Sequence, residues 1–359
     1  MSGKPIRWGI LSTAQIARKN WRAIQLSGNG IVAAVASRTL ASAERFIAEN
    51  QAIAPFASAP RALGSYEELL AVPNIDAVYI PLPTGLRKEW VLRAAAAGKH
   101  IVSEKPCATN VADLREMIEA CRRQGVQFMD GVMFMHSARL PRIRAALDDS
   151  TSVGPLRRIT SAFSFLAPAG FFTANIRAHS ALEPLGCLGD LGWYCVRFSL
   201  WATGWRLPCE VTGRIEAQLS RTDSPAPVPT DFSGELIFND GLTADIRCSF
   251  LADLHQSAKL IGERGSLSLD DFVVPRQREE IEFVVNDRNM TVAEHGSPHA
   301  TSQETNLFRN FAAQIQTGGL NAQWPSFALQ TQQVVCALMQ SAQSGSRPIA
   351  LSSGHAVPG

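Results

Sequence analysis

The stretch Ile6-Arg-Trp-Gly9-Ile-Leu-Ser12-Thr-Ala14-Gln-Ile-Ala17 reads as a strand running straight into a helix. Residues 6–11 form a short apolar run, and a helix-period segment covers 15–26. In a dinucleotide-binding turn, the spacing G-x-G-x-x-G/A lets backbone approach a pyrophosphate at a helix N-terminus. Here Ser12, Ala14 and Ala17 stand in those three slots. Small residues keep the space, but the glycines are gone. Alone, the motif reads equally well as a plain strand-to-helix turn of another α/β protein.

The neighbouring segments decide between the two. Apolar, β-branched runs at 31–37, 77–81, 100–103 and 126–129 alternate with helix-like stretches at 41–50, 86–97 and 111–123, and 65–70 reads as one helical turn. Such alternation predicts a parallel sheet with helices on both faces. Gly98 follows its helix as a C-terminal glycine should. The second strand ends at Ser37-Arg38-Thr39, about 25 residues after the first turn. In an NAD-binding fold an acid at this place grips the ribose hydroxyls. This chain has no carboxylate there to repel a 2′-phosphate. Arg38 can pair with that phosphate and stack on adenine, with the two hydroxyls donating beside it. This is the reading for NADP(H); the other is a solvated turn arginine.

After residue 130 the pattern changes. A strand is predicted at 155–166 and a helix at 189–201. Strands follow at 210–219, 231–239, 242–250, 257–261, 266–269 and 282–285. Asn239-Asp240-Gly241 and Glu263-Arg264-Gly265 read as hairpin turns, so this sheet is mainly antiparallel. Residues 223–229 are Pro-rich and read as an exposed loop, and helices at 303–317 and 326–344 finish the chain. The expected organisation is therefore α/β. Residues 1–130 form a Rossmann parallel-sheet domain. Residues 131–359 form an α+β domain with a large open sheet for substrate binding and oligomerisation, and its last helices are free to pack back on the first domain.

Composition narrows the function classes. With 359 residues, 46% of them hydrophobic and 18% charged, the chain can fill two cores. A net charge of +2 gives no field for gripping nucleic acid. No apolar run reaches the ~18 residues that span a bilayer. Met1-Ser-Gly-Lys-Pro-Ile-Arg-Trp lacks the apolar core of a secretory leader. Seven scattered cysteines with no Cys-x-x-Cys fit reduced thiols. The expected location is cytoplasmic. His295 and His299 are four apart, but Gly296 and Pro298 forbid the helix that would align them, so no metal site is expected.

At Gly98-Lys-His-Ile-Val-Ser-Glu104-Lys105-Pro106 the pattern becomes specific. A strand ending in Glu-Lys-Pro, after a first-strand nucleotide turn, resembles the glucose–fructose oxidoreductase/inositol dehydrogenase/MocA family. Leu188-Gly-Asp190-Leu-Gly192-Trp-Tyr194, roughly 85 residues on, is similar to that family's second motif. The tyrosine there, with the stretch Phe128 to His136, resembles the branch of dihydrodiol dehydrogenases and NADP-linked sugar ketoreductases. Several positions depart from the family pattern. Arg87 stands where the family's Pro-x-x-x-His segment has histidine, and Pro184-Leu-Gly186 replaces a triple glycine. An arginine that some relatives carry near Met135 is absent.

The resemblance implies an enzyme that moves a hydride between NADP(H) and a secondary alcohol or ketone of a sugar or cyclic polyol. NAD(H) is the less favoured cofactor. It places the cofactor against Ser12, Thr13, Ala14, Gln15 and Ile16, Ser37, Arg38 and Thr39, Pro81, Leu82 and Pro83, Arg87, Glu104 and Lys105. It makes Lys105, Tyr194 and Asp190 the catalytic set and the Lys105–Pro106 peptide commonly cis. Tyrosine, with a pKa of about 10, needs a nearby ammonium to serve as a base at neutral pH. Tyr194 therefore exchanges the proton, Lys105 polarises the same oxygen, and Asp190 orients Lys105 or binds a substrate hydroxyl. His136, Arg177, His179 and Trp193 are weaker candidates for touching substrate. Phe165, Phe171 and Trp193 leave open an apolar pocket for a trans-dihydrodiol, the runner-up substrate. A non-catalytic NADP(H) sensor is the alternative from another class. The open sheet face, expected to be apolar, is the expected interface of a homodimer or homotetramer.

Overall fold

The computed structural model describes residues 4–276 and 278–351. The first three residues, part of the N-terminus read above, and the last eight lie outside it. The chain divides into two compact units. One runs to Cys107, takes in Ala112–Ser137 and returns as Glu294–Pro325; the other holds Ala138–Ala293 and the chain from Ser326 onward.

In the first unit six strands, β1 (Ile6–Leu11), β2 (Gly30–Ala36), β3 (Arg61–Leu63), β4 (Ala77–Ile80), β5 (His100–Ser103) and β6 (Phe128–Asp130), form a parallel sheet in the order β3-β2-β1-β4-β5-β6. Helices α1 (Gln15–Ser27), α2 (Leu40–Ile53), α3 (Tyr66–Leu70), α4 (Thr84–Ala96) and α5 (Val111–Arg123) connect them. Strand order reverses between β1 and β4, which opens a crevice at their C-terminal ends. At the opposite ends, Asp76 takes a forked pair from Arg7, with Nε–Oδ2 at 2.9 Å and Nη2–Oδ1 at 2.7 Å. Local capping agrees with the packing. Ser65 caps α3 through the Glu68 amide while the Glu68 carboxylate returns to Gly64 N, a reciprocal box. Gly98, at φ +69°, ends the α4 segment.

The segment 294–325 belongs to this unit because its helix buries an apolar stripe. In that helix, Gln303–Gln316, Leu307, Phe308, Phe311 and Ala312 join Trp8, Tyr79 and Met129 in one core. The Trp8 ring sits 5.2 Å from Phe308 and 5.4 Å from Phe311.

The second unit is built on nine strands. β7 (Leu156–Ser164), β8 (Glu210–Leu219), β9 (Val228–Ile237), β10 (Thr243–Ser249), β11 (His255–Gly262), β12 (Ser266–Leu269), β13 (Ile281–Val285), β14 (Arg288–Val292) and β15 (Ile349–Ala350) lie in the order β14-β13-β12-β11-β7-β10-β9-β8-β15. β7 and β10 pair in parallel, and the other described pairs are antiparallel. Both predicted hairpins form: Phe238 N reaches Leu242 O, and Gly262 N reaches Gly265 O.

Three expectations need correction. The loop read at 223–229 ends earlier, because Val228 and Pro229 are buried and already belong to β9. The helix read at 189–201 starts as a π-turn over Leu188–Gly192 and becomes α-helical only at Trp193–Ala202. The outward face of the sheet is polar rather than apolar. Alternation puts Ile159, Ala244, Ile246, Phe232 and Leu236 inside, and it leaves Arg158, Asp245, Arg247, Glu235 and Arg214 outside.

Candidate active site

In the first unit the cofactor candidates gather at the strand reversal. Ser12 leaves β1 with φ +130°, a conformation that costs a non-glycine residue ~1–3 kcal/mol. Its hydroxyl offsets part of that by accepting the Ala14 amide at 3.0 Å. Ala14 then caps α1 with no side-chain hydrogen bond, and no acid stands in the first turn. The helix thus presents its first amides and its positive end toward an anion. Gln15 and Ile16 are exposed there. This arrangement fits a pyrophosphate, although the glycines of the usual fingerprint are missing.

At the end of β2, Ser37 is buried and Arg38 and Thr39 are exposed. The Thr39 hydroxyl caps α2, accepting Ser42 N and donating to Ser42 Oγ at 2.8 Å. Sequence reasoning missed one residue here. Tyr66, the first residue of α3, lies within reach of both Ser12 and Arg38. Burial raises its pKa, against the Arg38 charge and a hydrogen bond with Ser12 that lower it. Its position was not legible because β3, only three residues long, carries no recognisable pattern and leaves α3 unplaced. Ser12, Arg38 and Tyr66 together offer a cation and two hydroxyls, a donor set that suits a phosphate monoester.

Pro81 and Leu82 are buried beyond β4. Arg87 lies in the first turn of α4 with 4% of its surface exposed. Its Nε donates to Leu82 O at 2.6 Å, and its Nη1 donates to Thr84 Oγ1 at 3.0 Å and to Pro106 O. Beyond β5, Glu104 and Lys105 are half-buried and the Lys105–Pro106 peptide is cis. Glu104 accepts Tyr79 OH at 2.6 Å. His136 also belongs to this unit. Its Nδ1 meets Asn310 Nδ2 at 3.1 Å, and its ring lies 6.2 Å from Trp324. His295 and His299 stack with centroids 3.7 Å apart, and Thr301 Oγ1 lies 2.9 Å from His299 Nδ1. No group of three metal-ligating side chains occurs among the described residues.

In the second unit the Asp-x-Gly-x-Tyr motif lies on the π-turn and the start of the next helix. Space at Gly192 is tight: a Cβ there would meet Leu188 Cδ1 at 2.8 Å and Cys248 Sγ at 3.1 Å, so both side chains would have to give way. Tyr194 is 7% exposed and its ring lies 5.8 Å from Phe163. Asp190 pairs with Arg177, Nε to Oδ2 at 2.9 Å. The charge of Asp190 raises the Arg177 pKa most. Burial opposes it, while Glu183 and Tyr194 add to it. Arg177 therefore belongs to the Asp190–Tyr194 cluster, a pairing the sequence did not show because the 12 residues between the two carry no hydrophobic period. His179 Nδ1 accepts the Ala181 amide at 3.3 Å, a local turn bond. Trp193, a weak substrate candidate whose default reading is core packing, is fully buried, with the Arg197 guanidinium 5.9 Å from its ring centroid. Its large apolar ring is core packing.

Among the described residues no helix is long and apolar enough to cross a membrane. Residues 6–132 match the model of an oxidoreductase family with an NAD-binding Rossmann fold, and residues 142–268 match the GFO/IDH/MocA C-terminal domain. The chain is 30% identical over 316 residues to a dTDP-3,4-didehydro-2,6-dideoxy-alpha-D-glucose 3-reductase of Saccharopolyspora spinosa, covering 88% of this chain and 89% of the other. It is 30% identical over 344 residues to D-xylose 1-dehydrogenase (NADP(+)) 2 of Haloferax volcanii, covering 94% and 98%. Its fold matches that of aldose–aldose oxidoreductase from Caulobacter crescentus with a TM-score of 0.83 at 22% identity, over 97% and 100% of the two chains. With both family models matched in order and these relatives matched over most of their length, the chain belongs to the GFO/IDH/MocA family of oxidoreductases.

Proposed function

We propose that this protein is an NADP(H)-dependent oxidoreductase acting on a secondary alcohol or ketone of a sugar or cyclic polyol. The observation that carries the reading is the retention of both reacting groups in a chain of this family. Lys105 stands on the strand-end turn of the first unit, and Tyr194 stands with the Asp190–Arg177 pair in the second. A sensor that only binds nucleotide needs neither. The relatives named for a sugar 3-reductase and an NADP-linked xylose dehydrogenase support the substrate class and the cofactor. Ser12, Arg38 and Tyr66 would hold the 2′-phosphate, and the open amides of α1 the pyrophosphate.

NADPH, when bound, supplies the hydride. The chain's own groups handle the oxygen. Tyr194 donates its phenolic proton to the carbonyl oxygen in reduction and takes the hydroxyl proton in oxidation. The Lys105 ammonium polarises that oxygen and favours the phenolate. Asp190, already paired with Arg177, keeps charge beside Tyr194 without itself exchanging a proton.

The test is nicotinamide absorbance with NADP⁺ and NADPH against D-xylose, D-glucose, myo-inositol, a dTDP-linked keto-sugar and a trans-dihydrodiol. Turnover on a sugar or keto-sugar is expected. Tyr194→Phe and Lys105→Met should each lower it by about 10²–10⁴-fold. Tight NADPH binding with no turnover across the panel would favour the sensor, and a preference for the dihydrodiol would favour the aromatic-diol reading. Should Tyr194→Phe remain active while folded, His136 and His179 become the next proton donors to test.

A further inference from the structure

We propose that Arg87 and Tyr79 are positioning residues for Lys105, two braces that tie the end of β5 to the end of β4 on either side of the lysine. The inference rests on the assignment of Lys105 above.

β4 and β5 are neighbours in the parallel sheet, paired from Ala77↔His100 to Ile80↔Ser103. Lys105 follows β5 by two residues, beyond the last ladder bond, so the sheet itself does not hold it. The residue before it is held from below. Tyr79 OH donates to Glu104 Oε1 at 2.6 Å and accepts from Asn20 Nδ2 at 2.6 Å. The Glu104 carboxylate also accepts the Lys105 amide, Oε2 to N at 3.3 Å. A Cβ at Gly131 would stand 3.1 Å from Glu104 Oε1, so the carboxylate is packed on its other side too. Donation from a buried phenol at this length, away from competing water, makes a firm tie between β4 and the residue before Lys105. With one bond accepted and one donated, Tyr79 has a single orientation available.

The residue after Lys105 is held from above. Arg87 Nη1 donates to Pro106 O, and Thr84 Oγ1 approaches the same carbonyl at 3.4 Å. The Arg87 Nε donates to Leu82 O at 2.6 Å, at the end of β4. One planar guanidinium thus joins the chain leaving β4 to the chain leaving β5. A lysine, with one flexible ammonium, cannot span both in that geometry. An arginine only 4% exposed and directed at two main-chain carbonyls suits this brace better than contact with cofactor. It also accounts for arginine in a slot where the resembling family has histidine.

Both braces act through Lys105, and misplacing a reacting group by ~1 Å can cost about 10²-fold in rate. On the sugar of the panel that turns over fastest, Arg87→Met is expected to lower kcat by about 10–100-fold and Tyr79→Phe by about 3–10-fold. The Kd for NADPH should stay within about threefold, because the 2′-phosphate and pyrophosphate contacts lie elsewhere. Arg87→Lys should recover part of kcat. In the Lys105→Met background, Arg87→Met should cost less than about threefold more, since residues acting as one unit are not additive. A second readout needs no substrate: the rate of acetic anhydride labelling of Lys105 at a fixed pH, with exposed Lys4 as reference, should change in Tyr79→Phe and Arg87→Lys.

Four results would overturn the inference: kcat within twofold of wild type in folded Arg87→Met and Tyr79→Phe; the full Arg87 loss persisting without Lys105; a loss confined to NADPH affinity; or an unchanged Lys105 labelling rate. If Arg87→Met does not fold, Tyr79→Phe and Arg87→Lys carry the same test. A Lys105→Met enzyme with undiminished turnover refutes the catalytic assignment itself, an outcome read independently of the braces.

Discussion

Replacing Arg38 by alanine should separate the two nicotinamide cofactors. Arg38 is exposed at the end of β2, near Tyr66 and with no carboxylate in Ser37-Arg38-Thr39. A hydrogen bond to a charged group contributes about 1.5–3 kcal/mol. Exposure and screening over ~8 Å at physiological salt place Arg38 in the lower half of that range, about 1.5–2 kcal/mol. At 1.36 kcal/mol per decade this is roughly a 10- to 30-fold weaker Kd for NADPH. NADH, lacking the 2′-phosphate, should lose little. The assay is a fluorescence titration of both cofactors on wild type and Arg38→Ala at two salt concentrations. The wild-type preference should shrink as salt rises. Equal losses for NADPH and NADH, or no loss for either, would refute the assignment of Arg38 to the 2′-phosphate.

Other expectations follow from single observations. Ser12 holds a left-handed-region backbone with one compensating bond, so Ser12→Ala should destabilise by about 1 kcal/mol. Ser12→Gly should be the more stable of the two in thermal melts, and the reverse order would disprove strain at this turn. Burial works to raise the Asp76 pKa, but the hydrogen bonds from Arg7 prevail and hold it below the usual range. Its stabilisation is therefore complete above the unfolded carboxylate value and lost as pH falls through the folded one. Asp76→Asn should cost about 1 kcal/mol at pH 7, allowing for partial exposure, with the gap to wild type closing as pH falls through the lowered carboxyl value. A gap that does not change with pH would show the pair contributes only shape. Finally, the outward sheet face carries Arg158, Arg247 and Arg214 beside Asp245 and Glu235, a mixed-charge surface complementary to a second copy of itself. We expect a homo-oligomer on this face by light scattering, weakened by Arg247→Glu, and a monomer mass at micromolar concentration would count against it.

Much of this architecture was legible along the chain. Strand and helix periods recur locally, and β1, β5, α5, β8 and β12 fall where the hydrophobic pattern puts them. The β/α alternation of the first third and the hairpin turns at Gly241 and Gly265 sufficed for a parallel sheet followed by a mainly antiparallel one. Lys105 and Tyr194 stand out in the sequence only because the segments around them, Glu104-Lys105-Pro106 and Asp190-Leu-Gly192-Trp-Tyr194, resemble motifs of a known family. Residues joined by distant pairing were not: the three-residue β3 has no pattern of its own and is defined only by its ladder to β2.

Tertiary structure alone decided what each polar side chain meets. Arg87 looks like a cofactor ligand in sequence, yet folding turns it toward Leu82 O and Pro106 O. Asp190 is four residues from Tyr194, but its ion pair is with Arg177, because the chain between 178 and 188 turns back and brings the arginine alongside. Trp193 is next to Tyr194 in the chain and points into the core, since adjacent helical residues face different directions. The outward sheet face became polar only once register was known, because a one-residue slip exchanges the two faces. Local periodicity is written in the order of residues. The partners of a charge depend on which segments three-dimensional packing brings within ~3 Å, and that information is spread over the whole chain.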